Sequence, residues 1–211
     1  MQVSLYRVFG KRLFDVLLAG PALIFFAPLM LILAGLVRLK LGSPILFRQQ
    51  RPGLNEKPFI LYKFRTMLDE RDGQGNLLTE AERITPFGRF LRSTSLDELP
   101  ELINVLKGEM SVIGPRPLLM KYLSRYTPRQ RRRHEVKPGI TGLAQSKGRN
   151  SLTWEQRFTF DVWYVDHCSF WLDLKILALT LKIVLKREGI THETHPSMPE
   201  FSGVAGSVES F

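Results

Sequence analysis

Two adjacent carboxylates, Asp97 and Glu98, stand inside the segment Arg92-Ser-Thr-Ser-Leu-Asp-Glu-Leu-Pro-Glu-Leu102. An ionised Asp attacks phosphorus when the repulsion between it and a phosphate is relieved by nearby cations. The sequence supplies such cations: Lys63 and Arg65 end an apolar run, Arg92 lies five residues before Asp97, and Arg116 sits between two prolines. Arginine grips phosphate oxygens in bidentate fashion, and Mg2+ could bridge a phosphate and Asp97. The competing reading is purely structural, because Ser95-x-x-Glu98 matches a capping box. A cap at Ser95 would put Pro100 at the fifth helical position, where its missing donor loses a bond. A cap at Asp97 puts Pro100 in the first turn, where no donor is needed. Either cap places both carboxylates at a helix N-terminus, which favours their ionised forms by about 0.3–1 kcal/mol each and is itself an anion site.

The elements that must position these residues can be read coarsely. Leu99, Leu102, Ile103 and Leu106 recur at helical spacing, so a helix is expected from about Asp97 to Lys107, stopped by Gly108. Pro44–Phe47 and Phe59–Phe64 read as strands of a small hairpin around the turn Gln50–Glu56. Asp69–Thr79 reads as a loop, with a short helix opening at Thr85–Phe90. Ile113-Gly-Pro-Arg-Pro117 and Lys137–Gln145 are punctuated by proline and glycine and read as irregular. Leu118–Tyr126 and Trp154–Val165 are expected helices. Phe170–Arg187 is apolar with Lys175, Lys182 and Lys186, and fits either a core helix or one lying in a membrane interface. Beyond Ile190 a loose polar tail is expected.

Near the N-terminus, Leu13–Val37 is almost wholly apolar, with Asp15 its one charge. That length suffices for a bilayer span. Gly20-Pro21 and Ala27-Pro28 interrupt it, and cations flank both ends: Arg7, Lys11 and Arg12 before, Arg38, Lys40, Arg48 and Arg51 after. Positive flanks favour the cytoplasmic side. A helix that enters, breaks near Pro28 and returns satisfies both flanks; a straight span and a soluble core helix remain as alternatives. A cleaved signal peptide fits poorly.

The 211 residues suffice for a compact domain, and a formal charge of +10 favours anionic partners. The single cysteine, Cys168, excludes an internal disulfide, and His192 and His195 lack the neighbours a zinc site needs. The cluster Arg129-Gln-Arg-Arg-Arg133 raises a nucleic-acid-binding reading, but it reads better as a solvated or lipid-facing helix surface, so no nucleic acid is expected as a partner. A scaffold is a third, non-enzymatic reading.

The ordered set Lys11-Arg-Leu-Phe-Asp15, Gln50-Arg-Pro-Gly53, Tyr62-Lys-Phe-Arg-Thr-Met67, Arg92–Glu98, Asn104-Val-Leu-Lys-Gly108, Gly114-Pro-Arg-Pro117, Pro138-Gly-Ile-Thr-Gly142 and Asp161-Val-Trp-Tyr164 closely resembles the small monotopic phosphoglycosyl transferases of the bacterial sugar transferase family. It is most similar to short members such as the bacillosamine-type phosphosugar transferase of bacterial N-glycosylation; the N-terminal transmembrane bundle of the larger members is not expected. The resemblance implies an α+β, mainly helical fold. A re-entrant membrane helix over 1–40, broken near Pro28, would precede a catalytic domain over 41–189 with a small β-hairpin and interfacial amphipathic helices. A flexible tail over 190–211 would follow. It further implies transfer of a sugar 1-phosphate from a UDP-sugar to polyprenol (undecaprenyl) phosphate, releasing UMP, with Mg2+. The reaction would run at the cytoplasmic face of the bacterial inner membrane, among anionic lipid and other glycan-assembly enzymes. Asp97 would be the nucleophile and a Mg2+ ligand. Glu98 would assist as base or in placing the metal, and Lys63, Arg92 and Arg116 would contact phosphate or nucleotide. The family breaks its helix at a Ser-Pro pair; here the pair is Ala27-Pro28.

Overall fold

The computed structural model describes residues 5–148, 152–186 and 200–203. Its longest element is α1 (Lys11–Leu41), with Pro21 and Pro28 inside it. The expected break near Pro28 is not an interruption: helical structure continues through both prolines. Seven residues separate them, so they share one helix face, and both are exposed, facing away from the rest of the molecule. Proline on the solvent side lets a helix curve toward its packed side, because the displaced carbonyls open outward. Gly42, at φ 80°, ends the helix in a backbone conformation that disfavours side chains.

Both halves of α1 pack on the same domain. Ala19 lies in one apolar cluster with Phe59, Leu61, Leu102 and Val105, while Leu33, Val37 and Leu41 lie in another with Phe64 and Leu91. Polar tethers fix its start. Lys11 Nζ donates to Ile113 O (2.8 Å) and Asp173 Oδ2 (2.6 Å), and Arg12 donates to Val105 O (2.5 Å) and Leu106 O (2.7 Å). Asp15, fully buried, accepts from Ser111 Oγ (2.8 Å) and the Val112 N–H (2.9 Å). The Lys11–Asp15 motif is therefore the seat of α1, away from the carboxylate pair.

The expected hairpin is present as β1 (Leu46–Pro52) and β2 (Pro58–Phe64), antiparallel with Leu46 opposite Phe64 and Pro52 opposite Pro58. Asn55 and Glu56 take left-handed conformations in its turn. The short helix α2 (Glu80–Arg83) closes the polar loop, and α3 (Pro86–Ser93) is capped by Thr85, whose side chain accepts from the Gly88 N–H. A Cβ on Gly88 would fall 1.8 Å from Thr66 O, so α3 lies backbone-to-backbone on the segment leaving β2.

A 3₁₀ turn (Leu96–Glu98) leads into α4 (Glu101–Lys107). A short strand β3 (Ser111–Ile113) leads into the first segment expected to be irregular, and β4 (Gly139–Thr141) lies within the second; the two pair in parallel. Their approach requires glycine: a Cβ on Gly139 would lie 2.1 Å from Gly114 N. The expected helix over 118–126 is instead a 3₁₀ segment (Met120–Arg125). It is followed by α5 (Pro128–Arg131), α6 (Leu143–Gly148), α7 (Trp154–His167) and α8 (Phe170–Lys186). On α8, Asp173 and Ile176 are buried while Trp171, Leu174, Lys175, Leu181 and Lys182 face outward, the mixed face of an interfacial helix.

His192 and His195 lie outside the described residues, as does most of the expected tail. The described part, Glu200–Gly203, is not loose. Phe201 is 4% exposed among Tyr122, Tyr126 and Phe158, and Glu200 pairs with Lys121 (2.6 Å) and Arg125 (2.8 Å).

Candidate active site

The path into α4 differs from either helix cap. Ser95 is left-handed (φ 57°), Pro100 is the N-cap of α4, and no side chain caps either turn. Consecutive i→i−3 bonds, Glu98 N–H to Ser95 O and Leu99 N–H to Leu96 O, carry the chain through the carboxylate pair. The capping box at Ser95 and the helix start at Asp97 are thus both corrected. Proline at 100 moves the first α-helical residue to Glu101, and Glu98 turns from the backbone toward cations.

Glu98 Oε1 accepts from Lys63 Nζ at 2.7 Å and from Arg116 Nη2 at 2.5 Å. The two cations hold its carboxyl well below the usual range despite burial, and Glu98 in turn raises the Arg116 guanidinium. Asp97, 8% exposed, makes no hydrogen bond or ion pair with another described residue. Burial and the charge of Glu98 push it up to about 6, against the pull of Lys63, Arg116 and Arg92. The pair therefore divides into an anchored carboxylate and an unanchored one. At neutral pH the unanchored one is still ionised.

Each partner is delivered by a different element. Asn104 on α4 accepts from the Tyr62 N–H (3.1 Å) and donates to Ile60 O (2.7 Å), locking β2 to α4 beside Lys63. Arg92, on α3, donates to Thr66 Oγ1 at 3.1 Å and lines the same cavity as Glu98 and Arg116. Arg116 is held from behind: Arg133 Nη2 donates to its carbonyl at 2.8 Å, while Arg133 pairs with Asp161 at 2.7 Å, both buried. Lys63 and Arg116 thus meet at Glu98, with Arg92 close by. Arg133 does not fit the solvated surface expected of the 129–133 cluster; its neighbours Arg131 and Arg132 do pair near the surface, with Glu56 and Asp166.

The cavity holds about 440 Å³. One wall is polar, with Arg92, Glu98, Arg116, Arg157 and Asp161; the other is apolar, with Ala22 and Phe26 of α1 and Leu177 and Ile183 of α8. A phosphate group suits the first wall and a lipid chain the second. Sequence reasoning passed over Arg157 and Glu101. Arg157 stands one turn before Asp161 on α7, a spacing that could have pointed to it. Glu101 carries no such local signal, because it reads as an acid in a first helical turn.

No cluster of three or more His, Cys, Asp or Glu side chains suited to a metal occurs among the described residues. Mg2+ uses one or two carboxylates and takes its remaining ligands from phosphate and water. Asp97 and the second oxygen of Glu98 fit that limited demand.

This architecture, an apolar N-terminal helix seated on a small α+β domain with a cationic carboxylate site, is that of a membrane-associated transferase. The bacterial sugar transferase family matches residues 6–187, and the chain belongs to that family. It is 57% identical over 200 residues to an uncharacterized sugar transferase, EpsL, of Bacillus subtilis, covering 95% of this chain and 98% of that one. It is 43% identical over 181 residues to a UDP-glucose:undecaprenyl-phosphate glucose-1-phosphate transferase of Klebsiella pneumoniae, covering 81% of this chain and 39% of that one. It is 42% identical over 198 residues to an undecaprenyl-phosphate galactose phosphotransferase of Salmonella typhimurium, covering 86% and 41%. The chain thus spans well under half the length of these two characterised relatives.

Proposed function

We propose that this protein transfers a sugar 1-phosphate from a UDP-sugar to polyprenol phosphate, with Asp97 as nucleophile. The observation that carries this reading is the division of the carboxylate pair: Glu98, which lines a cavity with one polar and one apolar wall, is tied to Lys63 and Arg116, while Asp97, the residue before it, has no ion-pair partner among the described residues. In the first step an Asp97 carboxylate oxygen attacks the sugar-bearing phosphorus of the UDP-sugar. The bond to the bridging oxygen breaks and UMP leaves. In the second, a phosphate oxygen of the polyprenol phosphate attacks the same phosphorus, and the Asp97 carboxylate departs.

Arg92 and Arg116 take the diphosphate oxygens, and Lys63 offsets the charge of Glu98 as the donor enters. Glu98 orients the two cations it binds. Asp97 and Glu98 would hold Mg2+, which would supply further charge neutralisation at the diphosphate. The apolar wall from α1 and α8 receives the first isoprene units of the acceptor.

We place the chain at the cytoplasmic face of the bacterial inner membrane, with both ends of the unbroken α1 on the same side of the bilayer and anionic lipid beneath α1 and α8. Support comes from the packing of both halves of α1 on one domain. Enzymes that extend the lipid-linked sugar are the natural consumers of its product.

The decisive experiment is UMP release by Asp97→Asn in detergent or lipid discs. Asn is isosteric but not nucleophilic, so turnover should fall by at least about 10³-fold while the fold is kept. In the wild type without acceptor, mass spectrometry should find a phosphosugar on Asp97. Full turnover by Asp97→Asn would refute the assignment.

A further inference from the structure

The geometry points to Glu101 as a positioning residue for the donor-phosphate end of the site, acting through Lys63. This inference rests on the proposed transfer reaction for its kinetic part only. Glu101 opens α4 and is 2% exposed, yet nothing of helix capping explains its burial, since its side chain leaves the helix end for Lys63. Its Oε1 lies 3.0 Å from Lys63 Nζ, on the amine that also reaches Glu98 Oε1 at 2.7 Å. Lys63 is therefore held from two carboxylates on two successive turns, as a flexible four-carbon side chain requires if its charge is to stay in one place.

The arrangement has a consequence for turnover. Glu98 is shared by Lys63 and Arg116, and an incoming diphosphate competes for both cations. When Glu98 is drawn toward substrate, Lys63 keeps its second tether to Glu101 and stays aimed at the site. A buried carboxylate with no duty toward a cation would simply be replaced by an apolar residue of similar size. The charged groups acting on Glu101 are Lys63 from β2, Glu98 from the 3₁₀ turn and Arg116 from the segment after β3; Glu101 in turn acts on Arg51 of β1. Lys63 is the one that touches it.

Two variants separate this role from a packing role. Glu101→Leu keeps bulk and removes the acceptor; Glu101→Gln keeps volume and an acceptor oxygen. The first readout is the rate at which acetic anhydride labels Lys63, measured by peptide mass spectrometry, which needs no assumption about the reaction. Lys63 labelling should rise about tenfold in Glu101→Leu, the effect of losing one charge-assisted hydrogen bond, and much less in Glu101→Gln. The second readout is UMP release, in which kcat/KM should fall about tenfold in Glu101→Leu and be largely restored in Glu101→Gln. Thermal unfolding checks that each variant is folded.

Lys63 labelling equal to wild type in a folded Glu101→Leu would overturn the proposal, as would a Glu101→Gln variant as labile at Lys63 as Glu101→Leu. If Glu101→Leu does not fold, Glu101→Gln decides alone: Lys63 must remain protected relative to exposed Lys175, and loss of that protection overturns the proposal. Wild-type protein that protects Lys63 through Glu101 yet releases no UMP from any UDP-sugar would defeat the transfer reaction and leave the positioning intact.

Discussion

Asp97 and Glu98 are neighbours on the chain with opposite electrostatic surroundings. The attacking group must be ionised, and burial with the adjacent Glu98 raises Asp97 to about 6. kcat/KM for UMP release should therefore fall as pH drops through about 6, where protonation removes the nucleophile. Glu98→Gln removes the like charge, so the acid limb should move to lower pH even as overall activity falls. A limb that stays in place would assign the titration to another group. Stability runs by the same sign rule. Glu101 is raised from 4.5 to about 7, so its contribution is fully present below pH 4.5 and lost as pH rises through about 7. Glu101→Gln should then match wild type in denaturant at pH 4.5 and exceed it at pH 8 by about 1–3 kcal/mol. Glu98, held low, contributes stability above its unfolded value and loses it as acid titrates it.

At the scale of elements, Arg116 is placed by structure behind it. The buried Arg133–Asp161 pair joins the segment after α5 to α7 and donates to the Arg116 carbonyl. Asp161→Asn leaves Arg133 buried without its charge partner and should lower unfolding stability by about 3–5 kcal/mol. Arg133→Met combined with Asp161→Leu should recover most of that loss but not the activity, because the Arg116 carbonyl still lacks its donor. Recovery of both would show that Arg116 needs no such support. The sequence made some of these elements legible and hid others. The helices α7 and α8 and the helix ending at Gly108 appear where expected, and the hairpin forms with its first strand running to Pro52, three residues into the expected turn. β3 and β4 were not visible, because strands of three residues are too short to show an alternating pattern and exist only through each other. The side chain of Glu98 satisfied a local rule at Ser95, but cations brought from β2 and from the segment after β3 outcompete that bond. Arg133 lay in a run that reads as surface, and only the placement of α7 supplies its buried partner.

The molecule as a whole is divided between a cationic domain and an apolar outer face. In the most apolar stretch of α1 only 11% of residues are buried, and Leu13, Leu17, Phe25, Leu31 and Leu39 point outward. Phe170 of α8 meets Phe14 and Tyr6 edge-on at 5.8 Å and 6.0 Å, so the outward face of α1 continues onto α8. Such a face calls for lipid. Both ends of α1 belong to one domain, so cysteines introduced at Leu5 and Ser43 should react with an impermeant maleimide from the same side of a sealed vesicle. Labelling from opposite sides would establish a span.

The three tryptophans lie in distinct settings along that division. Trp154 stacks on Phe158 at 5.7 Å beside Phe201, Trp163 stacks on His167 at 4.1 Å, and Trp171 is 75% exposed on the outward face of α8. The protein thus carries its own optical gauge. Emission from Trp171 should shift to the blue as vesicles are added, while Trp154, shielded by its aromatic neighbours, stays constant and reports instead on whether Phe201 remains seated.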